Sequence, residues 1–482
     1  MKYNIDADGV AYLTMAEQVA KGHFDRGING LWSPINAWLI APCIALGFSA
    51  WYAALSLNAV LGILNIVAFS FLTQKANLSN NYRLAIHLAF ACMLSVWCYF
   101  QVFGDILQLV FVLLYLTLLL PIKQLSIKKI ILASILMSLA YYAKSYNLYF
   151  YCIQLLLVLF FSLTKKYITA HQFIRYFLVA ILCTGLCVLP YSFAMQKKYH
   201  QFSLSGFAGA LNFSWQINSH KTFHDSIQLL IPPPYSDSPA FWEDPMLSKG
   251  TLDSPFTSTT HFFRWLARVT YTSIQTVIAL FEISFFSLVL FLFYFFYRKE
   301  KIFSDTIHIL MLTCLVLPLG YILVHIETRY VWLLSPLLLL VGSLLLMHTM
   351  PKPKIVLPIF LATFLISPFF NLIFLWNKNK ELFEYAQTIR NSSIRGNFTS
   401  NAIDDGNMFV IAYLTKNRYF SIEKTPIPID ELKAEMLKYK VPYYYEMQTD
   451  SIIGIDRDVS YKLKAHFNGL SIYELVDLGK LN

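Results

Sequence analysis

The sequence predicts an α-helical polytopic membrane protein with a small extracytoplasmic α/β domain at its C-terminal end. Three observations lead to this fold class: the composition, the length of the apolar runs, and an alternation of charge between the connecting loops. Of the 482 residues, 57% are hydrophobic and only 14% are charged, whereas about 25% of residues are charged in soluble chains. Apolar runs long enough to cross a bilayer recur as far as residue 376.

About ten spans are expected, and length decides where nearly continuous runs must turn. A helix from Leu84 to Leu120 would be about 55 Å long, but the hydrocarbon core is only about 30 Å thick. We therefore place a turn at "VFGDI", and further turns at "YAKSYN" (142–147) and "HIETRY" (325–330). The ten predicted segments are residues 51–73, 83–102, 106–120, 129–143, 147–163, 174–195, 274–297, 306–325, 330–348 and 355–376.

The short loops alternate between basic and non-basic. One set, "QKANLSNNYR", "PIKQLSIKK", "TKKYITAHQFIR", "YRKEKIFSD" and "MPKPK", has at least two Lys or Arg in every loop. The loops "FGD", "AKSYN" and "HIETRY" have one or none. The positive-inside rule assigns the basic set to the cytoplasm. Both chain ends then lie outside, and we expect a first transmembrane helix to be missing ahead of residue 1.

Two domains follow from this topology. Residues 1–376 are predicted to form the membrane domain, with external loops at 1–50 and 196–272, and residues 377–482 the extracytoplasmic α/β domain. In the second loop, "RWLARVTY" predicts an interfacial amphipathic helix. In the C-terminal domain, "IDELKAEMLKYK" predicts a helix, and "VPYYYEM" and "LSIYELV" predict strands.

Several function classes are excluded by what the sequence lacks. It has none of the motifs GxGxxG, GxxxxGK[ST], HExxH or GxSxG, so nucleotide and zinc-protease chemistry is not indicated. The net charge of +10 comes from short tracts between apolar runs rather than from a basic domain, so no nucleic-acid partner is expected.

Ionisable residues at the ends of the predicted spans are the candidate functional residues. Each also has a structural explanation. Asp8 and Asp105 could cap the helices that follow them, Lys144 could extend toward the lipid headgroups, and Glu327 and Arg329 could form a local ion pair. Together they place carboxylates and cations on one membrane face, which suits a reaction on an outward-facing lipid-linked phosphate.

The stretch "DGVAYLTMAEQVAKGHFDRGINGLWSPINAWLIAP" resembles the first external loop of the GT-C glycosyltransferases, especially the protein O-mannosyltransferase and aminoarabinose-transferase group. In that group an acidic residue precedes a tyrosine by four positions, as Asp8 precedes Tyr12, and "LWSPINAW" fills the later proline-containing position. Asp105 in "FGD" resembles the second acidic loop position. "HIETRYVWLLSPLLLLVG" and "LAYYAKSYNLYFY" are similar to further family segments. Ser33 stands where aminoarabinose transferases have a lysine, which argues against that substrate class.

The resemblance implies transfer of a sugar from a polyprenyl-phosphate donor. Such a donor has a good leaving group, so the reaction needs one base for the acceptor hydroxyl and cations for the departing phosphate. We assign Asp8 as base, and Asp105 as a residue that orients the acceptor or helps to bind a metal. The candidates for the donor phosphate are Lys144, Arg329, Arg264 and Arg268, and those for acceptor or substrate binding are Tyr12, Trp32, Glu243, Asp244 and Glu327.

No cofactor is required by the sequence, although a divalent cation is possible. The expected partners are the polyprenyl-phosphate sugar donor, a glycan, lipid or protein acceptor, and membrane lipid. We expect a bacterial inner membrane with the active site facing outside the cytoplasm. The alternative functions are a lipid-linked glycan polymerase or ligase and a flippase.

Overall fold

The structure is a computed structural model. It describes residues 3–100, 104–217, 229–248, 252, 254–298, 300, 303–349, 353–401, 405–422, 428–447, 460–467 and 469–476.

Helices make up most of the described chain. In order they are α1 Ala7–Ala20, α2 Ile35–Ala45, α3 Ala50–Lys75, α4 Asn80–Phe100, α5 Asp105–Leu119, α6 Ile127–Ala143, α7 Asn147–Thr164, α8 Ala170–Tyr199, α9 Ala208–Ile217, α10 Thr259–Ile283, α11 Phe285–Tyr297, α12 Asp305–Val316, α13 Leu319–Ile322, α14 Thr328–Val331, α15 Ser335–Thr349, α16 Pro353–Leu375, α17 Lys380–Asn391, α18 Asp405–Thr415 and α19 Ile429–Lys438.

Seven helical stretches within the described residues are long and apolar enough to cross a membrane, and a bent pair, α10 with α11, would make eight. Two further predicted segments form the shorter helices α5 and α6, of 15 and 17 residues. The predicted polytopic helical fold is therefore confirmed. The predicted turn at 142–147 contains the break between α6 and α7, and the predicted turn at 325–330 overlaps the break between α13 and α14 and includes the first residues of α14. The turn before Asp105 lies between α4 and α5, and its residues 102 and 103 lie outside the described part.

The segment predicted as a span over 274–297 is not one continuous helix. Helix α10 begins at Thr259 and runs through this region to Ile283, and α11 leaves it at an angle of 115°. Ser284 lies at the break in extended conformation, and its hydroxyl accepts from the Phe286 N–H at the start of α11. The segment predicted as an interfacial helix, "RWLARVTY", is thus the first part of a longer helix.

Hydrogen bonds join neighbouring turns at each end of the bundle. The Ser145 N–H donates to Ser33 Oγ (3.2 Å), which joins the 144–146 turn to the first loop. On the other side, Tyr176 donates to the Leu125 carbonyl (3.2 Å) and Tyr167 donates to Asp305 (2.8 Å). We call the side that carries α1, α2 and the C-terminal sheet the loop face.

The C-terminal segment forms a five-stranded sheet in the order β3-β2-β5-β7-β6. Strand β2 is parallel to β3 and β5, and β7 is antiparallel to β5 and β6. The predicted helix and two predicted strands are found as α19, β5 and β7. The strands are β1 Leu230–Ile231, β2 Asn397–Ser400, β3 Arg418–Tyr419, β4 Ser421–Ile422, β5 Tyr443–Met447, β6 Tyr461–Phe467 and β7 Leu470–Leu475.

The C-terminal sheet is joined to the loop face rather than standing apart. Strand β1, from the long second loop, pairs with β4, and one apolar core contains residues of α1 together with residues of the sheet and of α18. The domain boundary at 376/377 stays a prediction. This shared core places the C-terminal segment directly over the start of α1.

Candidate functional site

The first loop presents Asp8 at the start of α1. Asp6 caps this helix, because its Oδ1 accepts from the Gly9 N–H at 2.8 Å, so capping explains Asp6 but not Asp8. The Asp8 carboxylate instead contacts two distant side chains. Arg329 Nη2 lies 2.8 Å from its Oδ2, and the Trp242 indole N–H donates to its Oδ1 at 3.3 Å.

Arg329 lies in the first turn of α14, and Glu327 precedes that helix in extended conformation. The Arg329 Nε lies 2.6 Å from Glu327 Oε2, and His325 Nε2 lies 3.2 Å from Glu327 Oε1. Glu327 therefore links His325 to Arg329. The local ion pair is therefore observed, but Arg329 also extends beyond it to Asp8.

Arg268 extends this series of contacts. Arg268 Nη2 lies 3.3 Å from His325 Nδ1; because a guanidinium can only donate, Nδ1 is the acceptor, while Nε2 faces the Glu327 carboxylate. Burial acts to raise the pKa of Glu327, but the hydrogen bond from His325 and the charge of Arg329 outweigh it and lower that pKa to about 2. Glu327 is thus held as a carboxylate.

Lys144 and Asp105 form a second ion pair beside the first. Lys144 Nζ lies 2.5 Å from Asp105 Oδ1 and 4.0 Å from the centre of the Tyr330 ring, which stacks on Tyr321. Burial lowers the pKa of the Lys144 amine, while Asp105 opposes this shift. Asp105 is 1% exposed, and its carboxylate pairs with Lys144 instead of capping α5. Capping of α5 and lipid snorkelling of Lys144 are therefore wrong as explanations.

The Asp8–Arg329 pair and the Lys144–Asp105 pair lie close enough to interact electrostatically. Arg329 experiences the charges of Asp8, Glu327 and Asp105 together, and Tyr12 experiences those of Asp105 and Asp8. Three carboxylates therefore surround two cations.

Aromatic side chains form the wall beside Asp8. Tyr12 packs against Trp32 with ring centres 5.6 Å apart, and Trp32 packs against Trp242 at 5.5 Å. Tyr12 and Trp32 are buried, at 6% and 8% exposure. The structure therefore places both predicted residues at the site, as packing partners of its wall.

Glu243 and Asp244, which were predicted to bind acceptor or substrate, are buried, with only 4% and 1% exposure. Asp244 Oδ2 lies 2.7 Å from Lys198 Nζ, and Tyr199 donates to both Asp244 oxygens at 3.0 and 2.9 Å. Burial raises the pKa of Glu243 to about 7, although Ser238 and Arg26 oppose this shift. These side chains hold the second loop against the first.

The two arginines of α10 differ. Arg268 joins the cluster through His325, whereas Arg264 is exposed, and no described residue forms a hydrogen bond or ion pair with it. The structure therefore brings Asp8, Asp105, Lys144, Glu327 and Arg329 together, with Arg268 at the edge, and leaves Arg264 outside.

Sequence reasoning missed His325 as a site residue and did not connect Trp242 to Asp8. The position of His325, two residues before Glu327 in the same predicted turn, could have indicated it. Trp242 had no local signal, since 234 residues separate it from Asp8.

Comparisons with known proteins give a fold. No protein-family model matches the sequence, and no curated protein matches it. ArnT from Cupriavidus metallidurans in the apo state matches with a TM-score of 0.59 and 11% identity, over 99% of this chain and 94% of that one. The same protein bound to undecaprenyl phosphate matches with 0.58 and 10%, over 98% and 94%.

A third match is the oligosaccharyltransferase of Archaeoglobus fulgidus in complex with Zn and sulfate, with a TM-score of 0.55 and 12% identity, over 92% of this chain and 64% of that one. ArnT and this oligosaccharyltransferase are GT-C membrane glycosyltransferases. The chain therefore has the fold of these two proteins, and the likeness predicted from the sequence motifs is confirmed at the level of the fold.

The residues of the site do not fit a metal ion held by protein ligands alone. Within the described residues there is no group of three or more His, Cys, Asp or Glu side chains that could hold one, and Asp8 and Asp105 each contact a cationic side chain. Metal binding by Asp105 therefore has no support in this geometry, and no reaction step is derived through a metal.

Proposed function

We propose that the protein is an integral membrane glycosyltransferase that moves a sugar from a polyprenyl-phosphate donor to an acceptor on the loop face. The observation that carries this proposal is the contact between Asp8 and Arg329, 2.8 Å. It joins a carboxylate of the first loop to a cation at a helix start inside a GT-C fold, beside the ion pair of Lys144 and Asp105.

The two cations suit the donor phosphate. Arg329 presents a planar fork that can hold two phosphate oxygens, and Lys144 adds a compact charge. Both are preorganised, because Glu327 and Asp8 orient the guanidinium and the Tyr330 ring supports the amine. Preorganised cations stabilise charge that develops in a transition state without reorganising.

The reaction needs one proton transfer. Asp8 takes the proton of the acceptor hydroxyl while that oxygen bonds to the anomeric carbon of the sugar. The bond from this carbon to the phosphate oxygen breaks, and its electron pair leaves with the phosphate. A positioned base contributes about 10²–10⁴-fold to such a step.

Arg329 couples the base to the leaving group. As Asp8 gains a proton it loses its negative charge, while the donor phosphodiester becomes a monoester with an additional negative charge. The guanidinium is then released from Asp8 at the moment when the phosphate attracts it more strongly. The total charge of the site is unchanged through the step, which keeps the electrostatic cost low.

The finer assignments of the proposal follow from the sequence and the neighbours together. The donor lipid is a polyprenyl phosphate, the kind of lipid to which one ArnT structure is bound, and the acceptor is a glycan, lipid or protein. We place the protein in a bacterial inner membrane. The site faces outside the cytoplasm in this proposal, because the turns that form it carry few basic residues.

Binding of undecaprenyl phosphate tests the proposal before sugar or acceptor is known. In detergent, the lipid should raise the melting temperature of the purified protein in a concentration-dependent way. Arg329→Gln should abolish this shift and Lys144→Gln should weaken it. Arg175→Gln, which removes an exposed arginine of α8 outside the site, should leave the shift unchanged.

Turnover is then measured as release of undecaprenyl phosphate from a panel of its hexosyl and pentosyl derivatives, in membranes that supply the natural acceptors. At least one derivative should be consumed. Equal stabilisation of all four proteins by the lipid, or no consumption of any derivative, would count against the proposal.

A further inference from the structure

Trp242 contacts the proposed base from outside the transmembrane part of the protein. Its indole N–H donates to Asp8 Oδ1 at 3.3 Å, while Arg329 lies 2.8 Å from Oδ2. Both oxygens of the carboxylate therefore have a donor, each from a different segment. Two donors on different oxygens fix the plane of the carboxylate, and a carboxylate has about four lone-pair sites, so acceptor capacity remains.

The first loop contacts Trp242 through Trp32. The Trp32 indole N–H donates to the Trp242 carbonyl at 2.9 Å, and the two rings meet edge to face, with centres 5.5 Å apart and planes at 69°. The backbone of Trp242 is thus tied to the loop that contains Asp8.

The C-terminal segment packs against Trp242 through one aromatic ring. Phe409 of α18 lies nearly parallel to the Trp242 ring, with centres 6.0 Å apart and planes at 14°. Phe409 is buried, at 4% exposure, and its ring also meets Phe241 edge to face at 5.6 Å. The ring of Trp242 therefore lies between Trp32 and Phe409.

Helix α18 is itself fixed to the loop face by polar contacts. Tyr413 donates to Glu17 of α1 at 2.8 Å, and Lys416 Nζ lies 3.6 Å from the same carboxylate. Just beyond α18, the Tyr419 N–H donates to the Pro239 carbonyl at 2.7 Å, three residues before Trp242. A displacement of α18 would therefore move the indole that contacts Asp8.

We propose that Trp242 is a positioning residue for Asp8 and that α18, through Phe409, makes the C-terminal segment part of the active site. This inference rests on the proposed function, because it treats Asp8 as the base. The indole N–H holds the carboxylate in the rotamer that faces the acceptor, and Phe409 keeps the indole at that angle. Small displacements of reacting groups have large effects on rate, since about 1 Å can cost 10²-fold.

The test is the pH dependence of turnover in Trp242→Phe and Phe409→Leu. Trp242→Phe keeps an aromatic ring against Phe409 and removes the N–H. We expect kcat to fall about 10-fold with little change in KM. We also expect the acidic limb of the pH–rate profile to move up by about 0.5–1 pH unit, because a carboxylate that loses a donor becomes more basic.

Phe409→Leu should lower kcat by a smaller factor and move the same limb in the same direction. The matched control is Trp265→Phe, which removes an indole hydrogen bond of 2.8 Å to the Leu323 carbonyl on the same face and should leave the pH profile unchanged. An unmoved limb in Trp242→Phe would overturn the positioning role, and an unmoved limb in Phe409→Leu would overturn the part played by α18.

A measurement without turnover separates this inference from the proposed function. The melting temperatures of Trp242→Phe, Asp8→Ala and the double variant form a cycle. The melting temperature of the double variant should be at least about 1 °C above the value expected from the sum of the two single shifts. The same cycle measured in proteins that also carry Phe409→Leu should give a smaller difference. If no donor is consumed but the coupling is present, the glycosyltransferase proposal fails and the contact stands. Additive melting temperatures overturn the inference whatever the activity.

Discussion

Two carboxylate–cation pairs in the external loops have the same chemistry and different surroundings. Asp8 and Arg329 are 2.8 Å apart, with side-chain exposures of 20% and 16%, whereas Asp244 and Lys198 are 2.7 Å apart, with exposures of 2% and 12%. Lys198 also donates to the Asp25 and Ile28 carbonyls. The Asp244 pair is enclosed and saturated, and the Asp8 pair is accessible. Exposure and remaining acceptor capacity, rather than the ion pair itself, therefore distinguish the proposed base Asp8 from the enclosed carboxylate of Asp244.

Asp8→Asn should have the largest effect on activity. The amide has nearly the same shape but cannot take a proton, so we expect consumption of the donor to fall at least about 10³-fold, with a change in melting temperature of only a few degrees. Asp244→Asn is the matched exchange at the other pair. Comparable losses of turnover in equally folded Asn variants would break the comparison.

Asp244→Ala should have the largest effect on stability. It leaves the amine of Lys198 and the hydroxyl of Tyr199 without the carboxylate in a buried place, and breaking such a pair costs about 3–5 kcal/mol. Thermal unfolding in detergent measures this loss. The fraction that remains folded should bind undecaprenyl phosphate as the wild type does, and an unchanged melting temperature would show that the buried pair is not structural.

Arg329→Lys sharpens the comparison within the Asp8 pair. Lysine keeps the positive charge but loses the planar fork that contacts Asp8 and Glu327 at once, so we expect about a 10²-fold lower kcat/KM. Lys144→Arg should lower kcat/KM by a smaller factor, because the amine of Lys144 contacts one carboxylate, that of Asp105, rather than two. A lysine at position 329 with full activity would mean that charge alone suffices there.

Glu243→Gln should have the smallest effect on stability, and that effect should depend on pH. Burial raises the pKa of Glu243 to about 7 in the folded protein, above the ordinary value for glutamate in an unfolded chain. The folded state therefore holds this proton more tightly, and stability falls as pH rises from about 5 through 7. We expect the wild type to lose about 2 kcal/mol over that interval relative to Glu243→Gln.

The measurement is the difference between the melting temperatures of the two proteins at several pH values. Glu431→Gln, at an exposed position of α19, is the control and should track the wild type at every pH. A difference between wild type and Glu243→Gln that does not change with pH would contradict the buried titration.

Much of the fold could be predicted because bilayer thickness limits apolar helices. The turns at Asp105, Lys144 and Glu327 followed from length alone, and their low basic charge placed them on one face with Asp8. The bend at Ser284 could not be predicted, because apolar residues continue on both sides of it and neither Pro nor Gly marks the break. Hydropathy measures how apolar a segment is, but it does not indicate where the axis of a helix changes direction.

The site could be predicted only as far as its short-range patterns extended. The spacing of Asp8 and Tyr12 and the turn residues Lys144 and Arg329 were visible in the sequence. The contact of Trp242 with Asp8 and the enclosure of Asp244 by Lys198 depend on how the second loop folds onto the first. Such long-range contacts leave no periodic or local signal, so Asp244 was predicted to bind acceptor or substrate although it is buried.

A structure of the protein bound to undecaprenyl phosphate would test the central claim most directly. We expect a phosphate within hydrogen-bonding distance of Arg329 and Lys144, with the Asp8 carboxylate facing the space beside it. A phosphate bound elsewhere, while Arg329 still contacts Asp8 and Lys144 still contacts Asp105, would contradict the proposed role of these two cations.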